Sequence, residues 1–521
     1  MSKYIIGTPR NQIALFPQSL DQILDQDNEV RLIDLFVDSI IISDYHFQVK
    51  TSIEGRPSFD PKDLLKLYIY GYLNSIRSSR KLEKECFRNT EVMWLLKQLA
   101  PDHNTISNFR RDNEKAIQKV FRYTVKIAKA FDLIGGQLIA GDSTKLRAQN
   151  SKKNNFNPKK IERHLEYIDN KLNDYNQALS NADGDADKII EASQNIATQE
   201  HRKAFYNHLS DQLQQSGDTQ VSTSDPESRQ MITRNNITEV AYNIQTVVDA
   251  KHCIPLDYKV TNENDSKAMG SMLRRTKRIL GTSDFTAIYD KGYHTGSEIK
   301  TGIQMGINVM VAIPEVASNA PDTAYNVANF SYDTQLDQYT CPQGQKLTTN
   351  GRWYKKDRGK SFNMIKHYKT KACLTCPAFE KCTKNKEGRL LERSEHAPYI
   401  EQNRLNIEAN YKTYKRRQAI VEHPYGIIKR QWGFYYIMTK KGIQRASADV
   451  GLIFTAFNLR RIMNIIDPNE FKKFLRELAS LIFEITSPPT LFLSISRNAL
   501  FQALIPGQIK KLLKTPVNQL K

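Results

Sequence analysis

Long apolar runs are missing from this chain of 521 residues. No stretch reaches the roughly 18 apolar residues that span a bilayer, and the opening Met-Ser-Lys-Tyr-Ile-Ile-Gly is too short for a signal peptide. The sequence therefore predicts a cytoplasmic protein. Acidic residues are also scarce, because 56 Asp and Glu stand against 76 Lys and Arg, a net charge of +20. This charge favours a nucleic-acid partner and association with the nucleoid; a basic cytosolic protein is the alternative that charge alone leaves open.

Cysteine is sparse, with six residues in the whole chain, which excludes a scaffold held together by disulfides and suits a reducing compartment. Four of the six cluster as Cys341-Pro-Gln-Gly, Cys373-Leu-Thr-Cys376 and Cys382. Four thiolates are enough for a closed tetrahedral site, so the cluster predicts a structural Zn²⁺. Four free thiols are the alternative, because Cys341 lacks the close partner that a second pair would provide.

Glycine is rare between residues 18 and 130, and this region is predicted to be helical. In the segment 61–77 the apolar side chains recur along one helical face, and a second helix is predicted from Ser78 through Glu91. An oligomerisation or packing module and a DNA-binding module both fit this pattern. The second is favoured by five basic residues: Arg77, Arg80, Lys81, Arg110 and Arg111.

The pattern changes after Gly135, where a short apolar run ends in Asp142, as a buried strand would. Two further strands, ending near Asp249 and Val260, are predicted to form an antiparallel hairpin. The segment from Phe285 to Ile313 then has the order strand, helix, strand. This alternation predicts an α/β fold.

Asp142 and Asp290 each follow a short hydrophobic strand, where a carboxylate is rigidly held and still reachable. Mg²⁺ prefers such hard oxygen ligands, although a single Asp in this place is more often a turn former or a helix cap. Asp225 and Asp249 compete for the same role and are predicted to be structural groups or to support the ligands.

A third acid lies in the helical pattern around Glu422. Glu422 and Lys429 are seven positions apart, nearly two helical turns, so a carboxylate for metal and a lysine for phosphate lie on one face. A solvated ion-pair face is the alternative, and Pro424 makes the angular argument approximate.

In this order the motifs resemble those of the DDE transposases of bacterial insertion sequences, whose catalytic domain has the ribonuclease H fold. The resemblance spans most of the chain. The matching pieces are Arg56-Pro-Ser-Phe through Ser78-Ser-Arg-Lys, Pro101-Asp-His-Asn-Thr-Ile, Gly141-Asp142-Ser-Thr-Lys, Tyr289-Asp290-Lys-Gly-Tyr-His and Val421-Glu422-His-Pro-Tyr-Gly.

The resemblance implies that Asp142, Asp290 and Glu422 are the catalytic residues and hold two ions of Mg²⁺ or Mn²⁺. It also implies a phosphate-binding Tyr, Arg, Glu, Lys signature, for which Tyr414 and Lys429 stand in place. Arg417 is the candidate for the arginine but departs from the signature, because four residues separate it from Glu422 where the signature has three; Arg416 or Lys415 could substitute for it.

The predicted fold is α/β, with a ribonuclease H-like mixed sheet and flanking helices, an all-helical amino-terminal domain and a cysteine-containing insertion. The divisions are 1–130 for the helical amino-terminal domain (DNA binding or assembly), 135–314 for the first part of the catalytic domain with a helical insertion at 155–215, 315–400 for the insertion with the zinc-binding cysteines, 401–466 for the last part of the catalytic domain with Glu422, and 467–521 for a carboxy-terminal tail.

By this resemblance the chain is a transposase that cleaves the ends of its element and transfers the freed 3′ strand to target DNA. Its partners would be double-stranded DNA, both terminal inverted repeats and target, and a second copy of the chain on paired ends. A host nuclease of the same fold is one alternative, which the long helical amino terminus disfavours. An inactive, transposase-derived DNA-binding protein or repressor is another, which the presence of all three acids disfavours.

Overall fold

The computed structural model describes residues 19–48, 57–182, 184–233, 237–315, 320–358, 361–438 and 441–486. The opening segment considered above as a signal peptide and the tail beyond residue 486 lie outside the described residues. The described chain opens with helices α1 Leu20–Ile23, α2 Glu29–Asp38, α3 Ile42–Tyr45, α4 Pro61–Leu73, α5 Ser79–Arg88, α6 Thr90–Leu95, α7 His103–Asp112 and α8 Glu114–Ala130.

Local capping sets the bounds of these helices. The side chain of Asp60 accepts the N–H of Lys62, and Pro61 occupies the first turn of α4, where its missing N–H costs nothing. The single helix expected from Ser78 through Glu91 is wrong, because the chain breaks at Asn89. There the Asn89 side chain accepts the N–H groups of Glu91 and Val92 and starts α6 as a separate helix.

Two of the basic residues that favoured DNA binding by the amino-terminal region are buried. Arg77 and Arg110 are 5% and 3% exposed, and they pair with the fully buried Asp449 at 3.4 and 3.5 Å. Their charges hold the amino-terminal helices to the rest of the molecule and do not face a ligand. Arg80 and Lys81 are exposed, and Arg111 pairs with its neighbour Asp112.

A mixed six-stranded sheet follows the helices. The next part of the chain supplies its strands and the elements between them: β1 Leu138–Arg147, β2 Asn155–Phe156, α9 Pro158–Ser180, α10 Ala186–Ser216, β3 Val221–Ser222, β4 Arg229–Ile232, β5 Thr238–Asp249, β6 Ile254–Thr261, α11 Met269–Leu280, β7 Thr286–Tyr289, α12 Gly296–Gln304 and β8 Asn308–Val311.

The sheet has β1 at its centre. On one side β5 runs antiparallel to β1 and β6 antiparallel to β5, so the predicted hairpin is confirmed; β4 pairs with the beginning of β5. On the other side β7 runs parallel to β1 and β8 parallel to β7. The order across the sheet is β6, β5, β1, β7, β8. The predicted mixed α/β architecture is therefore confirmed.

The long helices α9 and α10 form a hairpin between β2 and β3, as the helical interpretation of this polar stretch predicted. They enclose a small core of their own, separate from the core under the sheet. Among its buried side chains are Ile168 and Leu209, which are 0% and 3% exposed.

The rest of the described chain contains two small sheets and the last helices. Two three-stranded antiparallel sheets form within the cysteine-containing insertion predicted at 315–400. The elements are β9 Ser331–Asp333, β10 Gln338–Thr340, β11 Lys346–Thr348, β12 Tyr354–Arg358, β13 Ser361–Tyr368, α13 Phe379–Cys382, β14 Leu391–Ser394, α14 Ala397–Ala409, α15 Tyr411–Gly426, α16 Ile443–Ile465 and α17 Pro468–Thr486.

The main core joins the amino-terminal helices to the sheet through α16. Nearly every residue from Ala446 to Leu459 is buried, because α16 packs on α4, α7 and α8 on one side and on β6 on the other. The described beginning of the expected tail, from residue 468 to 486, forms helix α17, which packs on α2. No helix among the described residues is long and apolar enough to cross a membrane.

Candidate active site

Asp142 and Asp290 lie side by side at the sheet centre. β1 and β7 are parallel, and their last paired residues are Ala140 and Ile288. Two further residues along each chain bring Asp142 opposite Asp290. Asp290 directly follows β7, as predicted. Asp142 does not end its strand, because β1 continues to Arg147 along β5 after its pairing with β7 has ended.

Burial dominates the electrostatics of Asp142. Loss of water raises the pKa of Asp142 to about 6, against an opposing effect of the Arg417 guanidinium, and the nearby charge of Asp290 adds to the rise. Arg417 donates to Asp142 Oδ2 at 3.1 Å, and both side chains are mostly buried. A buried carboxylate with a raised pKa beside a second carboxylate is an arrangement that a cation would stabilise.

The turn after Asp290 is closed by its own side chain, which accepts the N–H of Gly292 at 2.9 Å. A short 3₁₀ turn, Lys291–Tyr293, begins there. Asp290 therefore has a role as a helix cap, the alternative that sequence analysis left open, and the same carboxylate still faces the Asp142 side of the sheet.

Helix α15 crosses this end of the sheet and packs on β1, β5 and β7. Ile420 and Val421 sit on the apolar side chains of Ala140, Val248 and Ile288. The helix continues through Pro424 and ends in a π-helical turn, residues 427–431, so Pro424 does not break it at the glutamate.

Two polar side chains of α15 fasten it to β1. The Tyr425 hydroxyl lies 3.3 Å from the backbone carbonyl of Asp142, and it also bonds the Thr246 hydroxyl. Lys429 Nζ donates to the carbonyl of Lys145 at 3.0 Å. Tyr425 and Lys429 are three and seven positions after Glu422, so their contacts also fix the position of the helical turn that carries Glu422.

Glu422 itself is exposed, and its carboxylate accepts the Gln418 amide at 2.8 Å. Within the described ranges Glu422 makes no hydrogen bond or ion pair with Asp142 or Asp290, so the structure brings the two aspartates together and leaves the glutamate on the helix beside them. Gln418 was missed by sequence analysis. Three residues separate it from Glu422, which is the spacing that the signature gives to its arginine.

The predicted phosphate-binding residues are all engaged within the protein. Arg417 pairs with Asp142, and the Tyr414 hydroxyl donates to the carbonyl of Tyr289 at 3.3 Å. Lys429 bonds the carbonyl of Lys145, three residues beyond Asp142, whereas Arg417 contacts that aspartate directly. A phosphate at this site would replace these internal partners.

Asp265 is a further acid at the site that sequence analysis missed. It accepts hydrogen bonds from Asn243 at 2.7 Å and Gln245 at 2.6 Å, and it pairs with Lys145 at 3.1 Å. Burial raises the pKa of Asp265, but the charge of Lys145 and these hydrogen bonds outweigh it, and the net pKa is lowered. Its position behind the Asp290 turn makes it a support for that turn. The polar run Asn-Glu-Asn-Asp directly after β6 was the available signal.

Asp225 and Asp249, the two other acids considered as metal ligands, bond to groups within the protein, in line with the structural role predicted for them. Asp225 accepts the Tyr242 hydroxyl at 2.6 Å and the N–H of Gly442 at 3.1 Å. Asp249 is fully buried and accepts the N–H groups of Gly135 and Gly136 at 3.0 and 2.8 Å, which fixes the entry into β1.

The four clustered cysteines lie 51 to 92 positions after Asp290 in the chain and at least 40 positions before Glu422. They line one cavity, described below. Across the described ranges, no three Asp, Glu, His or Cys side chains already converge at metal-ligating distance, so both predicted metal sites require side-chain movement.

Comparison with known proteins gives two matches to family models. The transposase domain (DUF772) matches residues 18–112, and the transposase DDE domain matches residues 340–463. No curated protein matches the chain in sequence. Among solved structures, a piggyBac transposase synaptic complex with hairpin DNA is similar at 9% identity and a TM-score of 0.27, over 88% of this chain and 82% of that one, a likeness too weak to bear on the fold. The chain therefore contains two regions that match transposase domains, the second of the DDE type, and these matches support a DDE transposase.

Proposed function

We propose that the chain is the transposase of a bacterial insertion sequence and that Asp142, Asp290 and Glu422 form its catalytic centre. The observation that carries this proposal is the position of Asp142 and Asp290, each two residues beyond the last paired residues of two parallel strands, beside the helix that bears Glu422. A strand-end acid alone is a turn former. Two acids in register, one of them buried with a raised pKa, are costly for the fold and indicate a ligand.

The strand order supports a ribonuclease H-like core. If β1, β5, β6, β7 and β8 are numbered 1 to 5 along the chain, their order across the sheet is 3-2-1-4-5. Strands 1, 2 and 3 pair antiparallel, and strands 4 and 5 run parallel to strand 1. The amino-terminal helices, the hairpin of α9 and α10 and the two small sheets would then be additions to this core, in the order of the proposed divisions.

The donor set fits divalent metal ions. Asp142 and Asp290 offer hard oxygen ligands, and Glu422 is exposed and held by a single side-chain bond, so it can turn towards them. When bound, two ions would activate the attacking oxygen and stabilise the leaving oxygen of the phosphodiester. The Asp142 carboxylate is ionised and available as a ligand above a pH of about 6.

The residues around the carboxylates would hold the DNA backbone. The guanidinium of Arg417 can bind a phosphate through two parallel hydrogen bonds, and it would reach a phosphate bound at Asp142. Lys429 would add a positive charge from the same helix. Tyr414 supports Arg417 from the side of β7. The net charge of +20 would attract the DNA before these contacts form. A second copy of the chain would act on the paired end.

Nicking of end DNA tests this function. The purified full chain with Mg²⁺ or Mn²⁺ is expected to nick a duplex that carries the terminal repeats flanking its gene, and to leave a free 3′-OH at the element end. Labelled strands resolved on denaturing gels, with and without a chelator, give the measurement.

A duplex of equal length and shuffled sequence is the control. Selective gel-shift and nicking of the repeat-bearing duplex support a transposase, because a general nuclease has no need to recognise ends. Equal cleavage of both duplexes would support a host nuclease and overturn the proposed function.

A further inference from the structure

The four clustered cysteines surround one small cavity, far from the carboxylates along the chain. Cys341, Cys373, Cys376 and Cys382 all line it, and its volume of about 20 Å³ is room for a single ion or water. All four are free thiols and half-buried.

Cys341 lies in a turn shaped like a metal knuckle. It follows β10, and the N–H of Gln345 donates to its sulfur at 3.3 Å while the N–H of Gly344 donates to its carbonyl at 2.8 Å. Gly344 has a φ of +74°, a conformation that glycine adopts without strain. One backbone N–H, that of Gln345, is therefore directed at the Cys341 sulfur.

The other three thiols come from the connection between β13 and β14. Cys373 lies within a 3₁₀ turn, Lys371–Thr375, and Cys376 follows it directly, where its N–H donates to the carbonyl of Cys373 at 3.2 Å. Cys382 ends α13. The cavity therefore joins the turn after β10, in one small sheet, to the connection that belongs to the other.

This part of the chain has little apolar material to hold it together. Its core consists of five buried side chains: Phe330, Tyr339, Leu347, Tyr368 and Leu391. Small units of this kind are generally stabilised by a metal or by disulfides, and no disulfide is present among the six cysteines.

We propose that Cys341, Cys373, Cys376 and Cys382 bind one structural Zn²⁺ that fastens the two small sheets to each other. Tetrahedral zinc needs sulfurs about 2.3 Å from the metal and so about 3.8 Å from one another. Because no three ligands in the described ranges already stand at that distance, zinc would close the cavity by rotating the thiols inward. Arg389 lines the same cavity, and its guanidinium would offset the charge of four thiolates.

Zinc content of the full chain tests the proposal. Protein purified in reducing buffer is expected to carry about one zinc per chain, released by a mercurial that blocks thiols, as measured by elemental analysis and a chromogenic chelator. Cobalt in place of zinc is expected to give the visible bands of a tetrahedral four-thiolate site. The carboxylate variant Asp142→Asn is expected to keep its zinc, which separates this site from the catalytic one.

Cys376→Ser is expected to lose at least about nine-tenths of the zinc, and Cys253→Ser, which changes a free cysteine outside the cluster, is the matched control that keeps it. Gly388→Ala is expected to weaken zinc binding, because φ at 388 is +94° and a Cβ there would lie 2.7 Å from the Cβ of Cys373. Zinc retained by Cys376→Ser would overturn the proposal. If Cys376→Ser does not fold, the cobalt spectrum of the wild-type chain decides, and absence of thiolate bands overturns it.

Discussion

Asp142→Asn, Asp290→Asn and Glu422→Gln are each expected to lower nicking of end DNA at least about 1000-fold, while DNA binding stays within about threefold. A loss of this size corresponds to about 4 kcal/mol of transition-state stabilisation. Each change removes one charged oxygen ligand at nearly constant side-chain volume, and a divalent ion binds a neutral amide far less tightly. Initial nicking rates with Mg²⁺ and gel-shift affinities, measured on the same preparations, give the two quantities.

Asp284→Asn is the matched control. Asp284 is exposed and lies just before the start of β7, at the opposite end of the strand from Asp290. The same chemical change there is expected to leave nicking unaltered. If Asp142→Asn or Asp290→Asn kept more than a tenth of the wild-type rate, the assignment of the metal ligands would be wrong.

Gly141→Ala is expected to destabilise the fold by at least about 3 kcal/mol. A Cβ at 141 would lie 1.9 and 2.2 Å from two ring atoms of Tyr289, which is 1% exposed. The ring cannot retreat, because Tyr293 lies against it with the ring centroids 4.8 Å apart. Since Tyr289 directly precedes Asp290, any shift that accommodates the methyl also moves a proposed metal ligand, and nicking should fall with stability.

Gly426→Ala is the comparison for that variant. Gly426 ends α15 and nothing lies within 4 Å of a Cβ built there, so alanine is expected to be neutral or to stabilise by up to about 1 kcal/mol. Urea unfolding followed by circular dichroism measures both. Equal stability of Gly141→Ala and wild type would show that Tyr289 does not pack on the strand of Asp142.

The parts of the fold that depend on local periodicity were predictable from the sequence. The hairpin of β5 and β6, helix α12 and strand β8 follow from alternation and helical spacing over short windows, and each was confirmed. Asp290 at the end of β7 could be predicted for the same reason. The extension of β1 to Arg147 could not, because the polar residues Ser143 and Lys145 gain their strand conformation from pairing with β5, a tertiary effect.

The remaining differences between the sequence-based predictions and the structure arise from contacts between segments that are distant in the chain. The burial of Arg77 and Arg110 depends on Asp449, more than 300 positions later, so their charge alone suggested a surface. Most strands of the small sheets near the cysteines are three to five residues long and polar, such as Ser331–Asp333 and Tyr354–Arg358, so they show no apolar run or clear alternation. The ion pair of Arg417 with Asp142 also arises from the fold, and it explains how an arginine out of place in the signature still reaches the site.

Anomalous scattering from Mn²⁺ in crystals of the full chain bound to its end DNA tests most directly whether three carboxylates share one metal site. We expect manganese in direct contact with Asp142 and Asp290, with Glu422 released from Gln418 and turned onto the metal, and Arg417 moved from Asp142 to a phosphate. Manganese bound by Asp265 and Asp290 without Asp142, or a Glu422 that remains on Gln418 while the metal and DNA are in place, would contradict the proposed centre.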